Sequence, residues 1–155
     1  MKEATFITPE GWQKLNKDME ALWDERKQVT EAVSEAAAMG DRSENAEYIY
    51  GKKRLRELDR KIGFLHKRFK ILTVYNPEVR NTSIVAFGAY VKFKDETGRS
   101  MQFRLVGVDE ANIKQQTLSV VSPIGKALLN RKLGESVEVQ TPAGLKTFTI
   151  ESINY

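Results

Sequence analysis

Two series of mainly apolar residues in the first half of the chain advance alternately by three and four positions, which is the spacing of a coiled-coil seam. When the series are paired in antiparallel order, the sequence numbers of every facing pair add up to 84, from Trp12 with Leu72 to Ala36 with Tyr48. One register therefore closes the whole seam, and the pattern predicts two long helices folded into a hairpin. The members of the seam are Trp12, Leu15, Met19, Leu22, Arg26, Val29, Val33 and Ala36, followed by Tyr48, Gly51, Leu55, Leu58, Ile62, Leu65, Phe69 and Leu72.

Local signals place the ends of the two helices. Thr8 is followed by a proline, which is typical of a helix start, because the threonine hydroxyl accepts a bond from an unpaired amide and proline is tolerated in the first turn. Gly40 favours a helix end. The midpoint of the register is Arg42, so arms of about 30 residues form a rod of roughly 45 Å. Asp41 and Glu44 are expected at the far end of this rod.

The seam has simpler interpretations that the sequence leaves open. Heptads alone also fit a plain helical spacer or a dimerisation coil. Arg26 is the one charged member of the seam, and a polar side chain at such a position commonly fixes the register at some cost in stability. Contact between Arg26 and a ligand is the alternative.

Positive charge is concentrated in one short segment of a chain whose formal net charge is +4. Residues 1–47 hold 6 Lys/Arg against 11 Asp/Glu, residues 48–75 hold 9 against 2, and residues 76–155 hold 10 against 8. Within the basic segment, Lys52 or Lys53 shares one helical stripe with Arg56 and Arg60, and such a stripe suits a phosphate backbone. A solvated face paired with acids of the first helix is the alternative.

Composition excludes several classes of protein. The 155 residues include no Cys and one His, so disulfides, thiolate metal sites and a cysteine nucleophile are excluded, and a zinc centre is not indicated. No apolar run approaches the roughly 20 residues that span a bilayer, and the first residues lack the apolar core of a signal peptide. We expect a soluble, cytoplasmic protein with no membrane partner.

The second half of the chain changes to period-two alternation rich in β-formers. Strands are predicted over residues 84–86, 89–94, 101–108, 118–121, 136–140 and 146–153, and a short helix over 124–130. Residues 95–98 and 141–144 are hairpin turns. The sequence therefore predicts an α+β protein, with a coiled-coil hairpin over residues 1–75 and an antiparallel sheet with one short helix over residues 76–155.

The residues at the predicted tip resemble those of a known family. The runs from Met39 to Tyr48 (Met-Gly-Asp-Arg-Ser-Glu-Asn-Ala-Glu-Tyr) and from Lys52 to Asp59 are similar to those of the bacterial transcript-cleavage factors, the Gre factors. Arg42 and the Lys-Lys-Arg-Leu-Arg-Glu run resemble the GreB branch more than the GreA branch. Shorter matches at residues 8–11, 106–110, 122–123, 127–129 and 141–144 extend the likeness over nearly the full length.

The resemblance implies a fold and a function. The hairpin would enter the secondary channel of bacterial RNA polymerase, and the second domain, of FKBP-like fold, would dock on the channel rim. The factor would stimulate hydrolysis of backtracked RNA by the polymerase's own active centre. It would then be an accessory factor rather than an enzyme, and we expect it to be a monomer when free.

Asp41 and Glu44 are the catalytic pair that the resemblance implies, with Ser43 beside them. A two-metal site activates water and neutralises a phosphate, and Mg²⁺ takes a few carboxylate oxygens plus waters. The two acids would hold the second, loosely bound Mg²⁺ of the polymerase, so no cofactor is expected in isolation. From the residues alone, both acids also fit caps of the second helix. Ser43 and Asn45 fit either a bond to the metal's water or a cap.

The resemblance also implies a role for the basic stripe. Lys52, Lys53, Arg56 and Arg60 would hold the 3′ end of backtracked RNA through its phosphates, without reading its sequence. Tyr48 fits stacking on an extruded base or packing in the seam.

Docking on the polymerase rim is expected near Val121, Ser122 and Pro123. GreB-type sequences often carry an acidic residue just before this Ser-Pro pair, so Val121 favours a weaker or more apolar dock. From the residues alone, Ser122 and Pro123 are simply the N-cap and first residue of the short helix.

Three functions from different classes fit these observations. The first is an elongation factor that donates a catalytic metal site to RNA polymerase. The second is a regulator that occupies the same channel without cleavage activity, although such a protein has no need for both acids at the tip. The third is a peptidyl-prolyl isomerase or chaperone, which rests on the implied FKBP-like fold alone, and fold is poor evidence for function.

Overall fold

The computed structural model describes residues 5–40 and 43–155, and it divides into two compact units. Trp12–Leu72 form the first unit, and residues 5–11 group with Thr73–Tyr155 in the second. The predicted division at residues 75 and 76 placed residues 5–11 with the hairpin. They belong to the second unit because the strands β1 (Thr5–Ile7) and β2 (Leu72–Val74) pair, and the amide of Tyr75 donates to the carbonyl of Ile7 at 2.9 Å.

The predicted helical hairpin is confirmed. Helix α1 spans Pro9–Ala38 and helix α2 spans Ala46–Ile71. All sixteen predicted seam positions are buried or half-buried, and Leu58 is fully buried. Val33 packs directly against Gly51, because a Cβ added to Gly51 would lie 2.5 Å from Cγ2 of Val33. The single register inferred from the sequence therefore describes the packing.

Gly51 tests this register. We expect Gly51→Ala to destabilise the protein by about 1 to 3 kcal/mol, because the new methyl group overlaps the stiff, β-branched Val33. Gly63 is the matched control, since it lies on the same helix and a Cβ there meets nothing within 4 Å. Gly63→Ala is expected to stabilise by about 0.5 to 1 kcal/mol through helix propensity. Urea unfolding of the two variants measures both effects, and equal shifts in the same direction would contradict the register.

Two ion pairs link the two helices of the hairpin. Arg26 Nε donates to Asp59 Oδ1 at 2.6 Å, and Arg54 lies 2.7 Å from Glu25 and 3.0 Å from Glu57. The hydrogen bond from Arg54 holds the pKa of Glu57 below its usual value. The cross-helix pairing of Arg26 supports the interpretation that this charged seam residue fixes the register.

The second unit is built on a five-stranded sheet. Its strands are β3 (Tyr90–Lys94), β4 (Ser100–Val106), β5 (Thr117–Ser119), β6 (Ser136–Thr141) and β7 (Gly144–Asn154), in the spatial order β5-β4-β3-β7-β6. Helix α3 spans Pro123–Leu128, and a 3₁₀ turn spans Ile113–Gln115. Hairpin turns join β3 to β4 and β6 to β7, at the two positions where turn residues predicted them.

The sheet differs from the prediction in two respects. Strands β4 and β5 are parallel rather than antiparallel, because residues 107–116, which include the 3₁₀ turn, carry the chain back before β5 begins. Residues 84–86 form no strand, since Ile84 makes only an isolated bridge with Lys132. The predicted α+β class is confirmed, with a mixed sheet in place of an antiparallel one.

Alternating residues of the strands form the core of the second unit. Burial in β3 and β6 follows the period of two that the sequence showed. Leu128 of α3 is fully buried in the same cluster, so this helix packs on one face of the sheet. The core comprises Val85, Ala89, Val91, Phe93, Leu105, Leu118, Leu128, Val137, Val139, Phe148, Ile150 and Ile153.

Glu110 holds the chain at the start of α1. Its Oε2 accepts hydrogen bonds from the amides of Thr8 at 2.8 Å and Gly107 at 3.1 Å, and its Oε1 accepts from the Thr8 hydroxyl. The Thr8 hydroxyl in turn accepts from the amide of Gly11 at 3.0 Å, which confirms Thr8 as the cap of α1. Thr8 is 2% exposed, so its amide and hydroxyl depend on Glu110.

Removal of this carboxylate has a predictable cost. We expect Glu110→Ala to destabilise the second unit by about 1 to 3 kcal/mol, because it leaves buried donors of Thr8 without an acceptor. Glu138→Ala is the control, since Glu138 is an exposed acid on β6, and it is expected to stay within about 0.5 kcal/mol of the parent. Thermal or urea unfolding measures the stability of both variants. A Glu110→Ala protein with the stability of the parent would contradict the role of this network.

Candidate functional site

The end of the hairpin presents polar side chains to solvent. Helix α1 ends at Ala38, and Gly40 follows with a φ of 135°, which lies in the region that L side chains rarely adopt. Ser43 and Glu44 are exposed, two residues and one residue before the N-cap of α2, respectively. Asp41 and Arg42, which the sequence places at the centre of the turn, lie outside the described residues.

Asn45 is the N-cap of α2. Of the two roles that the sequence left open for Asn45, a helix cap or a bond to the metal's water, the structure shows the cap. Its side-chain oxygen accepts a hydrogen bond from the amide of Tyr48 at 3.1 Å, and its side-chain nitrogen donates to the carbonyl of Ala36 at 2.7 Å. Asn45 therefore closes the start of α2 and ties it to the last turn of α1. Glu44 is not the cap, and among the residues that the structure describes its carboxylate has no hydrogen-bond or ion-pair partner. Its oxygens are therefore available to bind from outside.

Tyr48 lies in the seam, as the heptad pattern placed it. It is half-buried, and the facing Ala36 is 2% exposed. This burial favours packing over stacking on an extruded base.

The basic stripe is exposed along α2. Lys52, Lys53, Arg56 and Arg60 are all exposed, and none lies within 4.0 Å of a carboxylate of the described residues. Arg54 shows the contrast, because it is half-buried and bonded to Glu25 and Glu57. The alternative that the stripe is paired with acids of the first helix therefore applies to Arg54 and not to the four stripe residues.

The predicted docking residues combine a helix cap with an exposed surface. The Ser122 hydroxyl accepts from the amide of Gly125 at 3.1 Å and donates to the carbonyl of Ser119 at 2.6 Å, so Ser122 is the N-cap of α3. Pro123 follows as the first residue of the helix and is exposed. Val121 is 55% exposed. The capping and surface interpretations of the Ser-Pro pair are therefore compatible.

An apolar groove of about 960 Å³ adjoins these residues and was not predicted from the sequence. Phe6, Tyr75 and Phe87 contact one another on its wall, with ring centroids 5.0 to 5.7 Å apart. Val121 and Lys126 also line the groove, at the end near α3. No sequence pattern indicated this groove, because Phe6 is far in sequence from Tyr75 and Phe87 and comes next to them only through the pairing of β1 with β2.

No group of three or more His, Cys, Asp or Glu residues that could hold a metal occurs within residues 5–40 and 43–155. No helix in those ranges is both long and apolar enough to cross a membrane.

Comparison with known proteins identifies the family. Residues 5–74 match the family described as "Transcription elongation factor, N-terminal", and residues 80–155 match "Transcription elongation factor, GreA/GreB, C-term". The chain is 49% identical to transcription elongation factor GreB of Yersinia pestis, over all of this chain and 91% of the relative. The chain belongs to the GreA/GreB family of transcription elongation factors.

A second relative agrees with this assignment. Transcription elongation factor GreB of Haemophilus influenzae is 44% identical, over all of this chain and 99% of the relative. The resemblance to Gre factors, and to their GreB branch, is thus confirmed. The crystal structure of GreA factor homolog 1 of Thermus thermophilus is 20% identical over 99% of this chain and all of that one, with a TM-score of 0.45.

Proposed function

We propose that this protein binds bacterial RNA polymerase, inserts its hairpin into the secondary channel and stimulates cleavage of backtracked RNA. Hydrolysis takes place in the polymerase's own active centre, so the protein acts as an accessory factor. The observation that carries the proposal is the state of Glu44. It is exposed at the end of the hairpin and without a partner in the described residues, while Asn45 caps the helix. Family membership supplies the transcriptional setting.

The carboxylates of Asp41 and Glu44 are the groups that would hold a Mg²⁺ ion shared with the polymerase. Mg²⁺ is commonly bound by one or two carboxylates together with waters and phosphates, so two acids from this chain are a sufficient contribution. The open oxygens of Glu44 fit this use. When bound, such an ion lowers the pKa of a water and neutralises charge on the phosphate. Ser43, which is exposed beside Glu44, would orient that water.

The basic stripe would hold the 3′ segment of backtracked RNA. Four exposed cations that have no carboxylate within 4.0 Å among the described residues suit a phosphate backbone and give salt-dependent binding without sequence preference. Val121, Ser122 and Pro123 would contact the channel rim. Because Val121 is apolar and borders an apolar groove, we expect this contact to depend little on salt.

The test is to add purified protein to a stalled, backtracked elongation complex with 3′-labelled RNA. Release of short 3′ fragments, and renewed elongation after nucleotides are added, is the expected result. Binding to the complex without fragment release would support instead a regulator that occupies the channel and does not stimulate cleavage.

A further inference from the structure

Phe64 is an exposed aromatic residue that continues the line of the basic stripe. It follows Lys53, Arg56 and Arg60 by successive steps of three, four and four residues, which keeps all four on one side of α2. Its side chain is 62% exposed. One exposed apolar residue alone needs no explanation. Phe64 differs from such a residue because it lies at the end of a run of cations.

Phe64 lies outside the seam of the hairpin. Ile62 and Leu65 occupy the seam at this level, and the nearest aromatic pair in the seam is Trp12 with Phe69, whose ring centroids are 5.0 Å apart. Phe64 lines a shallow depression on the flank of the hairpin instead. The depression is lined by Asp18, Ala21, Leu22, Glu25, Arg60, Lys61, Phe64 and Leu65.

The charges around the depression leave an excess of cations. Its two acids are already paired, Asp18 with Lys14 at 3.2 Å and Glu25 with Arg54 at 2.7 Å. Arg60 and Lys61 have no carboxylate within 4.0 Å in the described part of the chain. An aromatic face beside two available cations is the combination with which proteins bind single-stranded nucleic acid, by stacking a base and neutralising its phosphates.

We propose that Phe64 is a stacking platform for a base of single-stranded RNA, with Arg60 and Lys61 contacting the flanking phosphates. The site forms the end of the basic stripe remote from the tip. It rests on the proposed function for the origin of the RNA, which is the extruded 3′ segment. Ala46 and Phe64 are separated by 18 residues of one helix, or about 27 Å. Roughly eight stacked nucleotides, at about 3.4 Å each, span that distance.

The first experiment measures RNA binding without polymerase. The full-length protein is titrated into fluorescein-labelled ten-nucleotide oligouridine at low salt. We expect Phe64→Ala and Phe64→Leu to weaken binding about five- to tenfold, and Phe64→Trp to retain it, since only an aromatic ring stacks. Trp23→Ala is the control, because Trp23 is 52% exposed on α1 and does not line the depression. Equal affinity of Phe64→Leu and the parent protein would overturn the proposal.

The second experiment uses elongation complexes backtracked by two or by ten nucleotides. We expect Phe64→Ala to raise the concentration for half-maximal cleavage about five- to tenfold on the complex with ten extruded nucleotides and to leave the other unchanged. An equal loss on both complexes would indicate a contact with polymerase protein and would overturn the proposal. If the parent protein cleaves neither, the proposed function fails, and the oligouridine titration still decides the role of Phe64.

Discussion

Glu44→Gln is expected to lower the rate of stimulated RNA cleavage at least roughly 100-fold while the variant still binds RNA polymerase. The amide keeps the size of the side chain but removes the charge that a Mg²⁺ ligand supplies. Folding should not change, because Asn45 rather than Glu44 caps α2 and no bond within the described residues depends on the carboxylate. Cleavage of a backtracked complex at saturating factor, with binding measured by competition, tests both parts.

Glu47→Gln is the matched control for this variant. Glu47 is an exposed acid in the first turn of α2, three residues from Glu44, so its replacement changes the net charge by the same amount. We expect it to retain cleavage. Asp41→Asn should behave like Glu44→Gln. Full cleavage activity in the Asp41→Asn, Glu44→Gln double variant would refute the role of the tip acids.

Lys52→Ala combined with Lys53→Ala is expected to raise the factor concentration needed for half-maximal cleavage and to flatten its dependence on salt. Each phosphate contact to a single strand contributes about 0.7 to the slope of log affinity against log salt, so the loss of two contacts should reduce the slope by about 1.4. Neither lysine has a carboxylate partner within the hairpin residues that the structure describes, so stability should be little affected.

The control for the stripe removes the same charge from the other helix. Lys17 and Lys27 are both exposed on α1 and lie outside the stripe. We expect Lys17→Ala with Lys27→Ala to leave the salt slope unchanged. If the two double variants gave the same slope, the effect would be one of net charge, and RNA contact at the stripe would be excluded.

The hairpin could be predicted in detail because its information is local and redundant. Sixteen positions obey one antiparallel register, and a single wrong pairing would break the constant sum of residue numbers. The Asn45 cap was within reach for the same reason, since its partners Tyr48 and Ala36 lie at the ends of the two helices it joins.

Several features of the second unit could not be predicted, because they depend on contacts between distant parts of the chain. β1 and β2 have three residues each, which is too short for an alternating pattern to show. Glu110 bonds to Thr8 across 102 positions, and no spacing in the sequence links them. The parallel pairing of β4 and β5 depends on the path of residues 107–116, which follows from tertiary packing rather than local propensity. The stacking role proposed for Phe64 could not be predicted, because it depends on the exposure of the side chain, which only the structure shows.

We propose that this protein carries metal-binding carboxylates to the catalytic centre of RNA polymerase. A Mg²⁺ titration of single-turnover cleavage, in a backtracked complex saturated with factor, measures this directly. The parent protein should lower the Mg²⁺ concentration for half-maximal cleavage well below that of the polymerase alone, and Glu44→Gln should not. Faster cleavage with an unchanged Mg²⁺ requirement, or an equal shift by Glu44→Gln, would contradict the claim.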